Sequence, residues 1–166
     1  MRSSCVSRCS VADTTSPRLH VDVGGGLTLK NPVVAASGTF GYGVEFAGVT
    51  DLATLGALVV KGLSLEPSPG HPAPRLVETA AGMMNAIGLQ NIGVRAFIET
   101  KLPALRTSGT AVVANCWGNV PEEFAEVAAQ LSEADGIAAV ELNISSPNKR
   151  EWGRIIATDP EMTRAV

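Results

Sequence analysis

Four short, largely apolar runs, Pro32 to Ala36, Ala57 to Val60, Ala111 to Ala114 and Ala138 to Leu142, punctuate this chain, and a polar residue follows each at once: Ser37, Lys61, Asn115 and Asn143. Runs this short and this poor in polar residues read as strands buried on both faces, the condition of a parallel sheet covered by helices. Stretches with helical spacing lie between them, over 44–55, over 94–105 with a stop near Pro103, and over 121–131. The last has Pro121 in its first turn and sets Glu122 and Glu123 near the positive end of the helix dipole. Such alternation defines an α/β chain of parallel βα units. A doubly wound sheet and a piece of a (β/α)₈ barrel both satisfy it.

The polar closures favour the barrel, where ligands bind at the carboxyl ends of the strands. A dinucleotide fold would carry G-x-G-x-x-G after its first strand, and Gly38-Thr39-Phe40-Gly41-Tyr42-Gly43 lacks that spacing. The fourth run leads into Asn143-Ile144-Ser145-Ser146-Pro147-Asn148, two amides and two hydroxyls around a proline that cannot continue a ladder. Ahead of the first run, 20–23 and 27–30 flank three glycines and read as a β-hairpin. The Pro- and Gly-rich stretch 64–90 reads as a long loop, of a length usually tied to function.

With 45% hydrophobic residues, 166 residues suffice for one domain with a sizeable core. A net charge of −3 and 4% aromatics provide neither the basic field nor the stacking surface of a nucleic-acid binder. No run is long and apolar enough for a membrane span or a signal peptide, so a soluble, cytoplasmic protein is expected. Residues 1–18, Ser- and Arg-rich, read as a disordered tail. The 3 cysteines argue against a disulfide framework, and Cys5 and Cys9 have no further ligands at metal spacing, so no metal site is expected.

In order along the chain, Ala36 to Gly43, Lys61-Gly62, Gly70 to Arg75, Gly82 to Asn91, Ala114-Asn115, Glu141 to Asn148 and Thr158 to Glu161 resemble the motifs of the dihydroorotate dehydrogenase family, in particular its soluble NAD-linked branch. The resemblance implies the first half of a (β/α)₈ TIM barrel: four parallel strands preceded by the β-hairpin, with 19–166 as half of an FMN-binding domain. A whole barrel takes about 250 residues, so a truncated barrel is expected. The reaction implied is oxidation of dihydroorotate to orotate in pyrimidine (UMP) synthesis, a base removing the C5 proton and FMN accepting hydride from C6. Carried over by motif, Lys61, Asn85, Ala86, Ile87, Gly88, Leu89 and Asn143 contact the substrate, and Ser37, Lys61, Gly62, Asn115 and Asn143 contact FMN. Ser146 takes the place of the base. A separate FAD and iron–sulfur subunit passing electrons to NAD is implied as a partner, and an oligomer is expected.

This chain departs from the branch pattern in three ways. Ser146 stands where the soluble branch has cysteine, a better base than serine; the quinone-linked branch does use serine here. Lys149 to Ile156 replaces a glycine-rich stretch. The barrel half carrying a second flavin-contacting lysine and the phosphate loops lies beyond the motifs present. These departures keep open a non-catalytic half barrel, and an FMN enzyme acting on a related dihydropyrimidine. Taken singly, Lys61 is an ordinary snorkelling lysine and Asn115 and Asn143 are ordinary turn residues; the motifs beside them give them their ligand roles. Cys116 is expected in the core, Trp117 in the core or a subunit interface, and His71 in a loop.

Overall fold

A computed structural model describes residues 17–146 and 155–166 of the chain. Nearly all of the tail expected over 1–18 lies outside these residues, as do Pro147, Asn148 and the loop 149–154. The first element among the described residues is the expected hairpin, β1 (Val21–Asp22) against β2 (Thr28–Leu29), with Gly24, Gly25 and Gly26 all at positive φ.

The four apolar runs form one parallel sheet in sequence order: β3 (Val34–Ala35), β4 (Ala57–Val59), β7 (Ala111–Cys116) and β8 (Ala139–Leu142). Residues opposite one another in a parallel pair share a face. Leu58 with Val112, Ala114 with Val140 and Cys116 with Leu142 therefore face one way, and Val59 with Val113 and Asn115 with Glu141 the other. Helices cover the first of these faces. α1 (Val94–Thr100) and α2 (Leu102–Leu105) contribute Phe97, Leu102 and Leu105, and α3 (Pro121–Glu133) contributes Phe124, Val127 and Leu131 at i, i+3, i+7, all 0–1% exposed. Each such side chain contributes about 1.5–3 kcal/mol by leaving water. A short α4 (Pro160–Ala165) follows, capped by buried Asp159, whose Oδ1 accepts from Glu161 N and Met162 N.

Three local expectations are corrected. The helix expected over 44–55 is two 3₁₀ turns, Val44–Phe46 and Leu52–Thr54, because Gly48-Val49-Thr50 is a poor helix interior and Asp51 turns its carboxylate onto Ala53 N at 2.9 Å to start a new turn. The helix over 94–105 divides at Lys101, and Pro103 sits in the first turn of α2, where its missing N–H costs nothing. The loop 64–90 contains a second hairpin, β5 (Leu76–Thr79) against β6 (Gly82–Asn85). Every residue of that hairpin is exposed, so no polar face alternates with a buried one to reveal it.

Candidate functional site at the carboxyl ends of the strands

The third strand runs two residues further than expected and carries Asn115 inside it, 2% exposed. Its register partner on β8 is Glu141, and the two side chains meet: Asn115 Nδ2 donates to Glu141 Oε1 at 2.6 Å. The other amide atom, Oδ1, is buried without a hydrogen-bond donor. Asn143 follows two residues after Glu141, and its N–H closes the ladder on Cys116 O at 2.8 Å. Ser37, Asn115, Glu141, Leu142, Asn143, Ser145 and Ser146 line one open cleft of about 550 Å³. Four of the residues expected in the site, Ser37, Asn115, Asn143 and Ser146, are thus together.

Lys61 is not among them. β4 and β7 are aligned at Val59 with Val113, yet Leu63 bridges Cys116, so four steps on one chain match three on the other. This is a β-bulge at 60–62. It takes Lys61 out of the ladder, with its N–H on Gly41 O at 2.8 Å, and brings Gly62 beside Asn115: a Cβ on Gly62 would lie 2.6 Å from Asn115 Oδ1. The Lys61 side chain lines a second cavity of about 660 Å³ with Tyr42, Pro67, Ser68, Gln90, Asn91 and Ile92. Among the described residues the two cavities share no lining side chain. Burial, then the charge of Arg75, lowers the Lys61 pKa below the ordinary lysine value.

Asn85 to Leu89 lines neither cavity. Asn85 ends β6 and is exposed, and the segment after it is held by backbone bonds. Ala86 N donates to Arg75 O at 2.9 Å and His71 N to Ile87 O at 3.0 Å, while His71 Nδ1 lies 3.1 Å from Ala86 O. Gly88 sits at φ 78° against His71, where a Cβ would come within 2.7 Å of its backbone nitrogen. Leu89 adopts φ 57°, unusual for a residue with a side chain.

Buried Asn91 anchors the far end of this segment. Its Oδ1 accepts from Ser64 N and Gly93 N at 3.1 and 2.8 Å, and its Nδ2 donates to Leu89 O at 2.9 Å. Tyr42 Oη accepts from Ile92 N at 3.0 Å, and burial raises the tyrosine pKa. Asn91, Tyr42 and Glu141 escaped the sequence reading. Glu141 had one visible sign: it is the charged residue within an apolar run, spaced by two from Asn143 and therefore on the same face of the strand.

Cys116 is in the core as expected and Trp117 takes the core place of its two alternatives, 0% and 2% exposed, and burial pushes the Cys116 thiol up to about 11. No group of three or more His, Cys, Asp or Glu among the described residues is placed to hold a metal ion, and no described helix is long and apolar enough to cross a membrane.

A family model described as dihydroorotate dehydrogenase matches residues 18–166. Over 150 residues the chain is 52% identical to the dihydroorotate dehydrogenase B (NAD(+)) catalytic subunit of Geobacter sulfurreducens, which spans 90% of this chain and 49% of that protein. Over 135 residues it is 55% identical to the subunit of the same name from Pelobacter propionicus, spanning 81% of this chain and 44% of that one. The chain thus covers about half the length of the curated relatives it matches. Among solved structures, DHODH from Eimeria tenella in complex with ferulenol superposes with a TM-score of 0.61 at 19% identity, over 93% of this chain and 46% of that one. That likeness bears on the fold, which is a partial (β/α)₈ barrel with four of its strands.

Proposed function

The chain belongs to the dihydroorotate dehydrogenase family, and on that premise we propose that it serves in the flavin-dependent oxidation of dihydroorotate to orotate in pyrimidine synthesis, with 19–166 forming the N-terminal half of an FMN-binding barrel domain. The observation that carries the reading is the strand-end cleft, where Ser37, Asn115, Asn143 and Ser146 meet over a buried acceptor with no donor of its own. These residues fit a flavin. Asn115 Oδ1 lacks the donor that a ligand N–H or O–H would supply, and a Cβ at Gly62 would crowd that oxygen.

FMN bound there supplies the hydride acceptor. Ser37, Gly62, Asn115 and Asn143 hold its polar atoms, with Lys61 reaching both cofactor and substrate. The dihydroorotate carboxylate is drawn to Lys61, and a half-buried cation of this kind holds an anion more strongly than one in water. Asn85, Ala86, Ile87, Gly88 and Leu89 supply peptide and amide groups to the pyrimidine edge, and Asn143 joins them. With FMN there to accept the C6 hydride, Ser146 Oγ would take the C5 proton while its own hydroxyl proton passed to solvent, leaving the C5–C6 double bond of orotate. The relatives' name, catalytic subunit, supports a partner that carries electrons onward to NAD, assigned here to an FAD and iron–sulfur protein.

The test is purification with added FMN, a flavin absorbance spectrum, and reduction of a dye with dihydroorotate or dihydrouracil as donor. A yellow protein reducing the dye with dihydroorotate alone is expected. A colourless protein inert with both donors would sink the proposal, and a preference for dihydrouracil would reassign the substrate.

A further inference from the structure

Glu141 has no part in the flavin reading of the cleft, yet it decides what the cleft offers. A primary amide turned through half a rotation exchanges oxygen and nitrogen with little change of shape, so burial alone does not choose which atom of Asn115 faces the ligand. An ionised carboxylate does choose, because it accepts and cannot donate. Glu141 Oε1 takes Asn115 Nδ2 at 2.6 Å, and the carbonyl Oδ1 is left as the buried, unpaired atom. The pair is fixed by the sheet, since Glu141 stands opposite Asn115 in the β7–β8 register. With Asn115 2% exposed and Gly62 packed beside its Oδ1, the amide has one hydrogen-bond partner and one unpaired oxygen.

Resting on the reading of this cleft as a flavin site, we propose that Glu141 is a positioning residue that holds Asn115 in one amide orientation, so that the cleft presents an acceptor and selects a ligand with an N–H donor at that point. The oxidised flavin ring has one N–H, that of its imide nitrogen. Glu141 itself lines the cleft, and its carboxylate is taken up by Asn115 Nδ2; its loss lets the amide turn over and offer a donor where an acceptor is required.

The test measures dissociation constants for FMN and for FMN methylated on the imide nitrogen, by flavin fluorescence, together with thermal unfolding of the flavin-free protein. The proteins compared are the wild type, E141A, E141Q, N115A and the double variant E141A/N115A. Expected are an approximately tenfold preference of the wild type for FMN over its methylated analogue, an approximately tenfold weaker FMN affinity in E141A with that preference lost, and near-normal behaviour in E141Q, whose own amide oxygen can accept from Nδ2. In the N115A background, E141A is expected to cause no further loss. A merely structural Glu141 would lower the unfolding temperature and weaken both flavins equally, which overturns the proposal. So would E141A binding FMN within about twofold of the wild type, or losses that add in the double variant. A wild type that binds neither flavin overturns the flavin reading itself, and this proposal with it.

Discussion

Ser146 sets the limit on what the cleft can do to a C–H bond. A serine hydroxyl holds its proton far above neutral pH, whereas a thiol near its reference value of roughly 8.5 is partly ionised in mild alkali. Ser146→Cys is therefore expected to raise the dihydroorotate-dependent turnover by about tenfold or more at pH 8, with a smaller gain at pH 6. A stopped-flow pH profile checks this, and an unchanged or lower rate at pH 8 counts against Ser146 as the base. The other thiol near the site is inert for a physical reason: burial raises Cys116 to about 11 and leaves it 0% exposed. In a Cys5→Ser, Cys9→Ser background, a thiol reagent at pH 8 is expected to label Cys116 only as fast as the protein unfolds; rapid labelling under native conditions would show the pocket to be open. At this scale the sequence marked Ser37, Asn115, Asn143 and Ser146 as polar residues at or just beyond the ends of apolar strands, and the structure gathers all four around one cleft. The sequence did not show that Lys61 lines the neighbouring cavity, since a bulge is set by how two strands align and leaves no mark in either strand read alone.

Elements reach the site through their connections more than through their interiors. The segment Asn85 to Leu89 depends on Asn91, whose side chain bridges Ser64, Gly93 and Leu89 from a buried position. Asn91→Ala strands two backbone N–H groups and a carbonyl, at about 1–3 kcal/mol for each group left unpaired in the interior. Loss of cooperative stability in urea is expected, together with faster amide exchange at Gly88 and Leu89 than in α3; exchange unchanged at those two positions would show the segment to be held by other means. A second tie joins the first 3₁₀ turn to α1. Glu45 meets Lys101 at 3.2 Å and accepts from Tyr42 N at 3.0 Å. Burial opposes ionisation of Glu45, but its own backbone N–H, Lys101 and the Tyr42 N–H outweigh it and bring the pKa below its ordinary 4.5. Because the folded value is the lower one, this stabilisation is present above the unfolded carboxylate range and vanishes as pH falls through the folded pKa. Glu45→Gln is expected to lose no more than about 1 kcal/mol at pH 7 and nothing in strong acid. Equal losses in urea titrations at the two pH values would assign the effect to packing instead of charge. The sequence reading mistook this region for one long helix because apolar spacing persists across Gly48 to Asp51, and it missed β5 and β6 because their partner is only each other.

The four strands form a sheet whose two outer members, β3 and β8, each pair on one side only among the described residues. Their surroundings are apolar and open: Val33 and Val34 are 56% and 43% exposed beside one edge, and Leu142 is 43% exposed on the other. Parallel direction followed from apolar strands alternating with helices, and the barrel order from the polar strand ends and the family motifs; what lies against the two edges did not, because a strand read alone does not show its outer partner. A row of free backbone donors and acceptors flanked by valine and leucine is a template for another strand, and natural sheets blunt such rows with lysine. The 166-residue polypeptide is accordingly expected to associate as its concentration rises in sedimentation velocity. Introducing Val34→Lys and Leu142→Lys together should shift it toward monomer while the far-ultraviolet circular dichroism is retained, because neither side chain belongs to the buried cluster of Leu58, Val60, Phe97, Phe124 and Leu131. A wild-type polypeptide that stays monomeric across the concentration range would mean that the edges are already covered by its own chain.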